Sequence, residues 1–84
     1  MDAPLYYGLR SPQRLFIEAM AADEGEPTRM ADIIERCDRT QSWASKYRAS
    51  LIRERVIEAA GYGLVRFTVP MLGAYIRDRV LWHE

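Results

Sequence analysis

Residues Thr28–Arg55 read TRMADIIERCDRTQSWASKYRASLIRER, and this stretch decides the fold. Two helix-length apolar patterns flank a short break, Cys37-Asp38-Arg39-Thr40. The first pattern places Met30, Ala31, Ile33 and Ile34 mostly on one side. The second places Trp43, Ala44, Tyr47 and Leu51 together, at offsets of one, four and eight from Trp43. On a helix those four fall within about a quarter turn of one another. Thr28 and Thr40 each stand where an N-cap is wanted, with a hydroxyl for the free amides of a first turn. A short helix, a tight turn and a longer helix with a polar outer face predict a helix-turn-helix.

With Trp43, Ala44, Tyr47 and Leu51 turned inward, the opposite face of the second helix carries Ser42, Ser45, Lys46, Ala49 and Arg53. Gln41 and Arg48 flank it, and Arg39 lies in the turn before it. Small residues let a helix approach a groove closely. Ser, Gln, Lys and Arg can hydrogen-bond base edges and phosphates. Most polar helix faces are only solvated surface. The turn before this one and the hairpin after it raise the DNA-binding reading above that ordinary one.

The chain has 84 residues, enough for one small domain. Hydrophobic residues make up 49% and aromatics 11%, so a core is available and the composition is that of a folded chain. The formal net charge is zero, which argues mildly against nucleic acid. Its distribution is uneven. Glu18–Glu35 holds six acids and one base; Arg36–Arg55 holds six bases and two acids. A neutral chain with a basic recognition segment can still dock on phosphate, with less non-specific affinity than a strongly basic domain.

One cysteine, Cys37, excludes an internal disulfide, and one Cys with one His gives no metal-ligand cluster. Cys37 is expected as a buried core thiol, which fits a reducing cytoplasm. No apolar run approaches the length of a membrane span, and no signal-peptide pattern opens the chain. No cofactor motif is present.

Residues 1–10 hold Pro4, Gly8 and the cluster Leu5, Tyr6, Tyr7, Leu9, and read as a linker or N-terminal extension that packs on the domain or a neighbour. The domain proper is expected over 11–84. Ser11-Pro12 opens its first helix, Ser as N-cap and Pro at the first helical position. Leu15, Phe16, Ala19 and Met20 form the inner stripe, and the acidic run Asp23-Glu24-Gly25-Glu26 follows. That loop is expected to face away from any DNA.

After Arg55 the period changes from helical to alternating. Ile57, Ala59, Val65 and Phe67 are interleaved with Glu58 and Arg66. A loop over Gly61–Gly63 pairs Ala59 with Val65, Glu58 with Arg66 and Ile57 with Phe67. This register puts the apolar residues on one face and a salt-bridge pair on the other. A Gly at the loop's end suits a left-handed conformation. Tyr62 occupies the tip and Arg66 the outer face of this wing. A short third strand around Glu26–Thr28 is open. Thr68-Val69-Pro70 then starts a last helix, with Met71, Leu72, Tyr75, Ile76 and the stem of Arg79 leading to Leu81-Trp82. The predicted fold is mainly α with a small β-hairpin, a winged helix-turn-helix. Its predicted core is Leu15, Phe16, Ile33, Ile34, Tyr47, Leu51, Ile57, Val65, Phe67, Leu72 and Ile76.

QSWASKYRASLI followed by VIEAAGYGLVRFTVPMLGAYIRDR resembles the C-terminal winged-helix domain of a group of bacterial and archaeal AAA-type P-loop ATPases. The resemblance runs from Ser11 onward. It is most specific at Leu51-Ile52, at Val56-Ile57, and at Phe67-Thr68-Val69-Pro70. It implies an ATPase module ahead of this domain, and a winged helix that binds DNA or packs on that module. Asp38 stands where this family's turn often has Gly, and Arg55 where Gly often ends the recognition helix. Tyr62 is not basic. No G-x-x-x-x-G-K-[ST] occurs in the chain, so any nucleotide site lies outside these residues.

The expectation is therefore a DNA-binding module, part of a larger AAA-type ATPase, with its second helix in the major groove. Gln41, Ser42, Ser45, Lys46, Arg48, Arg53 and Arg39 are its contact residues. The alternative is a protein-interaction winged helix that docks on an ATPase module in cis or forms a homodimer, using Tyr6, Tyr7, Tyr62 and Trp82. An enzyme is not expected. His83 beside the terminal Glu84 is a chain end, not a catalytic pair.

Overall fold

A computed structural model describes residues 8–23 and 27–78. Tyr6, Tyr7, Glu24–Glu26, Arg79, Leu81, Trp82, His83 and Glu84 lie outside them. The first helix, α1, spans Ser11–Ala21. Its N-cap is Arg10 and not the expected Ser11. The reason is Gln13, whose Oε1 accepts the Arg10 amide at 3.0 Å and satisfies it from the third helical position. Pro12 then falls within the first turn, where an N–H has no partner to lose. Phe16, Ile17, Met20 and Ala21 are buried.

Thr28, expected as an N-cap, lies instead in a two-residue strand, β1 (Thr28–Arg29). The residue is buried, and its hydroxyl donates to the Met20 carbonyl at 3.3 Å. A side chain already spent on the end of α1 is not available to cap the next helix. Arg29 takes the cap position of α2, Met30–Cys37, without a side-chain bond to a first-turn amide; its guanidinium instead pairs with Asp32 at 3.3 Å.

The turn follows from local chemistry. Asp38 adopts the left-handed conformation, φ 53°. Its amide bonds Glu35 O at 3.2 Å, and Arg39 N bonds Ile34 O at 3.2 Å. This pair of bonds closes a Schellman motif on the orphan carbonyls of α2. Thr40 then caps α3 (Gln41–Arg53) as expected, its Oγ1 accepting from Trp43 N at 3.1 Å. The far end of α3 repeats the device. Arg55 has φ 62°, its amide bonds Ile52 O at 3.0 Å, and Val56 N bonds Leu51 O at 3.0 Å. An arginine in this conformation costs roughly 1–2 kcal/mol that a glycine avoids. Part of the gain is lost to a floppier unfolded chain. Arg55→Gly should therefore stabilise the domain by about 0.5–1 kcal/mol. Thermal unfolding followed by circular dichroism checks this; an unchanged or lower midpoint would show that the bend carries no strain.

The wing is β2 (Ile57–Gly61) and β3 (Leu64–Phe67). Ile57 pairs with Phe67, Glu58 with Arg66 and Ala59 with Val65, the expected register. The tip differs. Gly61 pairs with Leu64, so Ala60 is an extra, bulged residue and the turn shortens to Tyr62-Gly63. Gly61 at φ 142° and Gly63 at φ 69° make this possible, because neither conformation suits a residue with a Cβ. The expected shared face is incomplete. Ile57 and Val65 are buried and Phe67 half-buried, but Ala59 is exposed. In the sheet, order β1-β3-β2, Ala59 lies beside the bulge and two residues nearer the hairpin tip than the buried Ile57 of the same strand. β1 pairs antiparallel with β3, Thr28 opposite Val65 and Arg29 opposite Leu64. Gly63 O also accepts from Met30 N at 2.9 Å, which ties the wing loop to the start of α2.

Thr68 fastens the base of the wing. Its hydroxyl reaches Arg55 O at 2.7 Å and Val56 O at 3.1 Å, and its amide bonds Val56 O. The last helix, α4, spans Pro70–Ile76 and buries Leu72 and Ile76. Three side chains from three places close the end of α1. Arg36 Nη1 donates to Ala19 O, Thr28 to Met20 O and Arg77 Nη1 to Ala21 O. The core joins Phe16, Ile17, Met20, Ile33, Leu51, Val56, Ile57, Val65 and Ile76. Leu15, Ile34, Tyr47 and Phe67, expected in it, are only half-buried and pack on its margin. Leu9, in the expected linker, is buried. The whole is a winged helix-turn-helix: α1, β1, α2, α3, hairpin, α4. No helix among the described residues is long and apolar enough to cross a membrane.

Candidate nucleic-acid interface

Burial of Ala44 and Leu51 sets the rotation of α3. Gln41, Ser42, Ser45, Lys46, Ala49 and Arg53 are then exposed along one face, and Arg48 is half-buried at its edge. Trp43 and Tyr47 are half-buried and form the opposite shoulder. The Trp43 ring lies 6.1 Å from Phe16 and 5.2 Å from Tyr47, centroid to centroid, distances at which aromatic pairs attract. Two of the expected contact cations rest on these rings. The Arg39 guanidinium is 5.9 Å from the Trp43 ring centre, and Lys46 Nζ is 5.3 Å from that of Tyr47. The aromatic shoulder holds both cations beside the outer face of α3 without neutralising them.

Charge is distributed differently from a simple count along the chain. Arg36, one of the bases in the basic segment, is committed inside the fold. Its Nη2 meets Asp23 Oδ1 at 3.0 Å and its Nη1 meets Asp23 Oδ2 at 3.1 Å, a fork-to-carboxylate pair. The Arg36 hydrogen bond lowers the Asp23 pKa from its usual value, and the Asp23 hydrogen bond raises that of Arg36. Arg39, Lys46, Arg53 and Arg55 are exposed and make no ion pair among the described residues. Cys37 is buried, its Sγ 3.6 Å from Leu15 O, and burial pushes its pKa up. It is an inert core thiol.

On the wing, Arg66 Nε bonds Glu58 Oε2 at 2.6 Å, so its charge is compensated in place. Tyr62 stands fully exposed at the tip. Between α3 and the wing runs an open groove lined by Ile52, Arg53, Arg55, Ile57, Glu58 and Thr68. The left-handed bend at Arg55 places a second cation beside Arg53 in this groove.

A family model described as Domain of unknown function (DUF8462) matches residues 4–76. The chain belongs to this family. No curated protein and no solved structure matches it. The matched span of this DUF8462 domain takes in the helix-turn-helix, the wing and α4.

Three polar residues near the interface carry no distinct signal in the DUF8462 sequence: Arg10, Gln13 and Glu54. Gln13 is buried and donates from Nε2 to Ser50 Oγ at 2.7 Å and to Glu54 Oε2 at 2.6 Å. This link sets α1 against the C-terminal half of α3. The only trace of it in the sequence is a Gln three residues after the true cap, the acceptor half of a capping box.

Proposed function

We propose that this domain binds duplex DNA, with α3 in the major groove and the wing beside it. The observation that carries this is the outer face of α3. Small side chains at Ser42, Ser45 and Ala49 lie between cations that no acid in the described fold neutralises. A helix of that shape can enter a groove about 12 Å wide, and the flanking cations meet phosphate on either side. The resemblance to AAA-type ATPase winged helices supports placing the domain beside an ATPase module in the same protein. The inert thiol of Cys37 fits a reducing, cytoplasmic setting.

A second reading has its own observation. Tyr62 at the wing tip, with Val69 and Met71 ahead of and within α4, exposes apolar area that duplex contact does not need. These residues suit docking on an ATPase module or on a second copy.

Salt dependence separates the two readings. The domain should shift random duplex in a gel at low salt, and affinity should fall steeply as salt rises. Arg53→Ala should weaken binding to all sequences alike and reduce the salt slope by about one. Equal affinity and slope for wild type and variant would favour the protein-interaction reading.

A further inference from the structure

We propose that Arg10 and Arg53 hold one backbone phosphate of the bound duplex between α1 and α3, at the edge of the helix-turn-helix face. The inference rests on the DNA reading above and extends it to a residue at the start of α1. Arg10, Lys46 and Arg53 line a single groove of about 570 Å³, with Gln13, Ser50 and Glu54 at its base. Three cations face one carboxylate there. The three cations are exposed, and none has an ion-pair partner among the described residues. Lys46 rests over Tyr47, which leaves the two guanidinium groups as the planar, fork-shaped donors suited to phosphate.

Hydrogen bonds join the polar residues of the groove. Gln13 uses its oxygen on the Arg10 amide and its nitrogen on Ser50 and Glu54. Ser50 Oγ lies 3.3 Å from the same Glu54 oxygen. This network ties the backbone of Arg10 to the last turn of α3, so the two arginines rise from adjoining walls of one groove. It also occupies one oxygen of Glu54, the only acid lining the groove among the described residues. An anionic strand passing along the side of α3 meets Arg10 and Arg53 from the two elements that line the groove. Duplex DNA supplies such a strand on each side of a helix in its major groove.

The experiment is a gel-shift salt series on one duplex with wild type, Arg10→Ala, Arg53→Ala, the double variant and Glu54→Gln, with circular dichroism as the folding check. Arg10 is exposed and its structural bond is through its backbone, so Arg10→Ala should fold normally. It should weaken duplex binding and lower the salt slope, by less than one while Arg53 still holds the same phosphate. Because both residues serve one phosphate, the double variant should lose less than the product of the single losses. Glu54→Gln keeps an acceptor oxygen for Gln13 and removes the charge, so binding should tighten roughly two- to fivefold. An unchanged slope in Arg10→Ala, while Arg53→Ala loses one, overturns this inference and leaves the DNA reading standing. Fully multiplicative losses overturn the shared phosphate. An Arg10→Ala effect on inorganic phosphate but none on duplex makes a free anion the occupant and overturns the assignment. No duplex binding by wild type overturns both readings together.

Discussion

Leu51→Ala should destabilise this domain by about 2–5 kcal/mol, the range for a buried large-to-small change whose cavity cannot fully collapse. Leu51 is completely buried, with 0% of its surface exposed. It sits on α3, under the wing and beside the bend that starts it, since Leu51 O accepts from Val56 N. Truncation there opens a void where helix and sheet meet, which neither can fill alone. Small domains hold only about 5–15 kcal/mol in total. The thermal midpoint should therefore fall by about 10–30 °C. Ser45→Ala, on the exposed face of the same helix, should change stability by no more than about 0.5 kcal/mol. Urea titration of both variants checks the contrast. A loss below about 1 kcal/mol for Leu51→Ala would mean that α3 is not anchored through this side chain.

The second large effect concerns base readout. Ser42, Ser45 and Lys46 occupy the first two turns of α3 on its exposed face. In helix-turn-helix proteins that part of the helix lies deepest in the groove. A serine can donate to or accept from several base edges, so each alone discriminates weakly. Of the three, Lys46 is the best candidate for reading guanine, whose O6 and N7 both accept. Its ammonium rests over Tyr47 in the free domain, an attraction worth about 0.5–1 kcal/mol at an exposed site. A guanine contact worth about 1–3 kcal/mol can draw it away. In-vitro selection with wild type should enrich a motif containing a G·C pair, and Lys46→Ala should lose the preference at that position. If neither protein enriches a motif, binding is attraction to the backbone alone.

The fold is legible in the residues alone because its decisive signals are local. Thr40 caps α3 through a hydroxyl three residues from its partner amide. Asp38 ends α2 in the left-handed conformation, which Asp tolerates better than most residues. Ile57, Glu58, Val65, Arg66 and Phe67 alternate closely enough along the chain to state the wing register outright. The outward face of α3 was legible for the same reason: helical period assigns it once the inner stripe is known.

What only the tertiary structure decided depends on residues far apart in sequence. β1 has two residues, too few for any period, and exists because Thr28 finds Val65 across the sheet. Once paired, Thr28 closes α1 and cannot cap α2. Gln13 is an ordinary polar residue until folding brings Ser50 and Glu54 to it, 37 and 41 positions away. Arg36 counts as a recognition-segment cation until Asp23 claims it from another element. Ala59 alternates correctly yet is exposed, because it stands beside the bulge near the wing tip, beyond the buried Ile57 end of its strand. Local spacing determined the elements and the face of α3. Long-range pairing decided which of its cations stay unpaired and which groove they line, because a charge is neutralised by what folding places beside it.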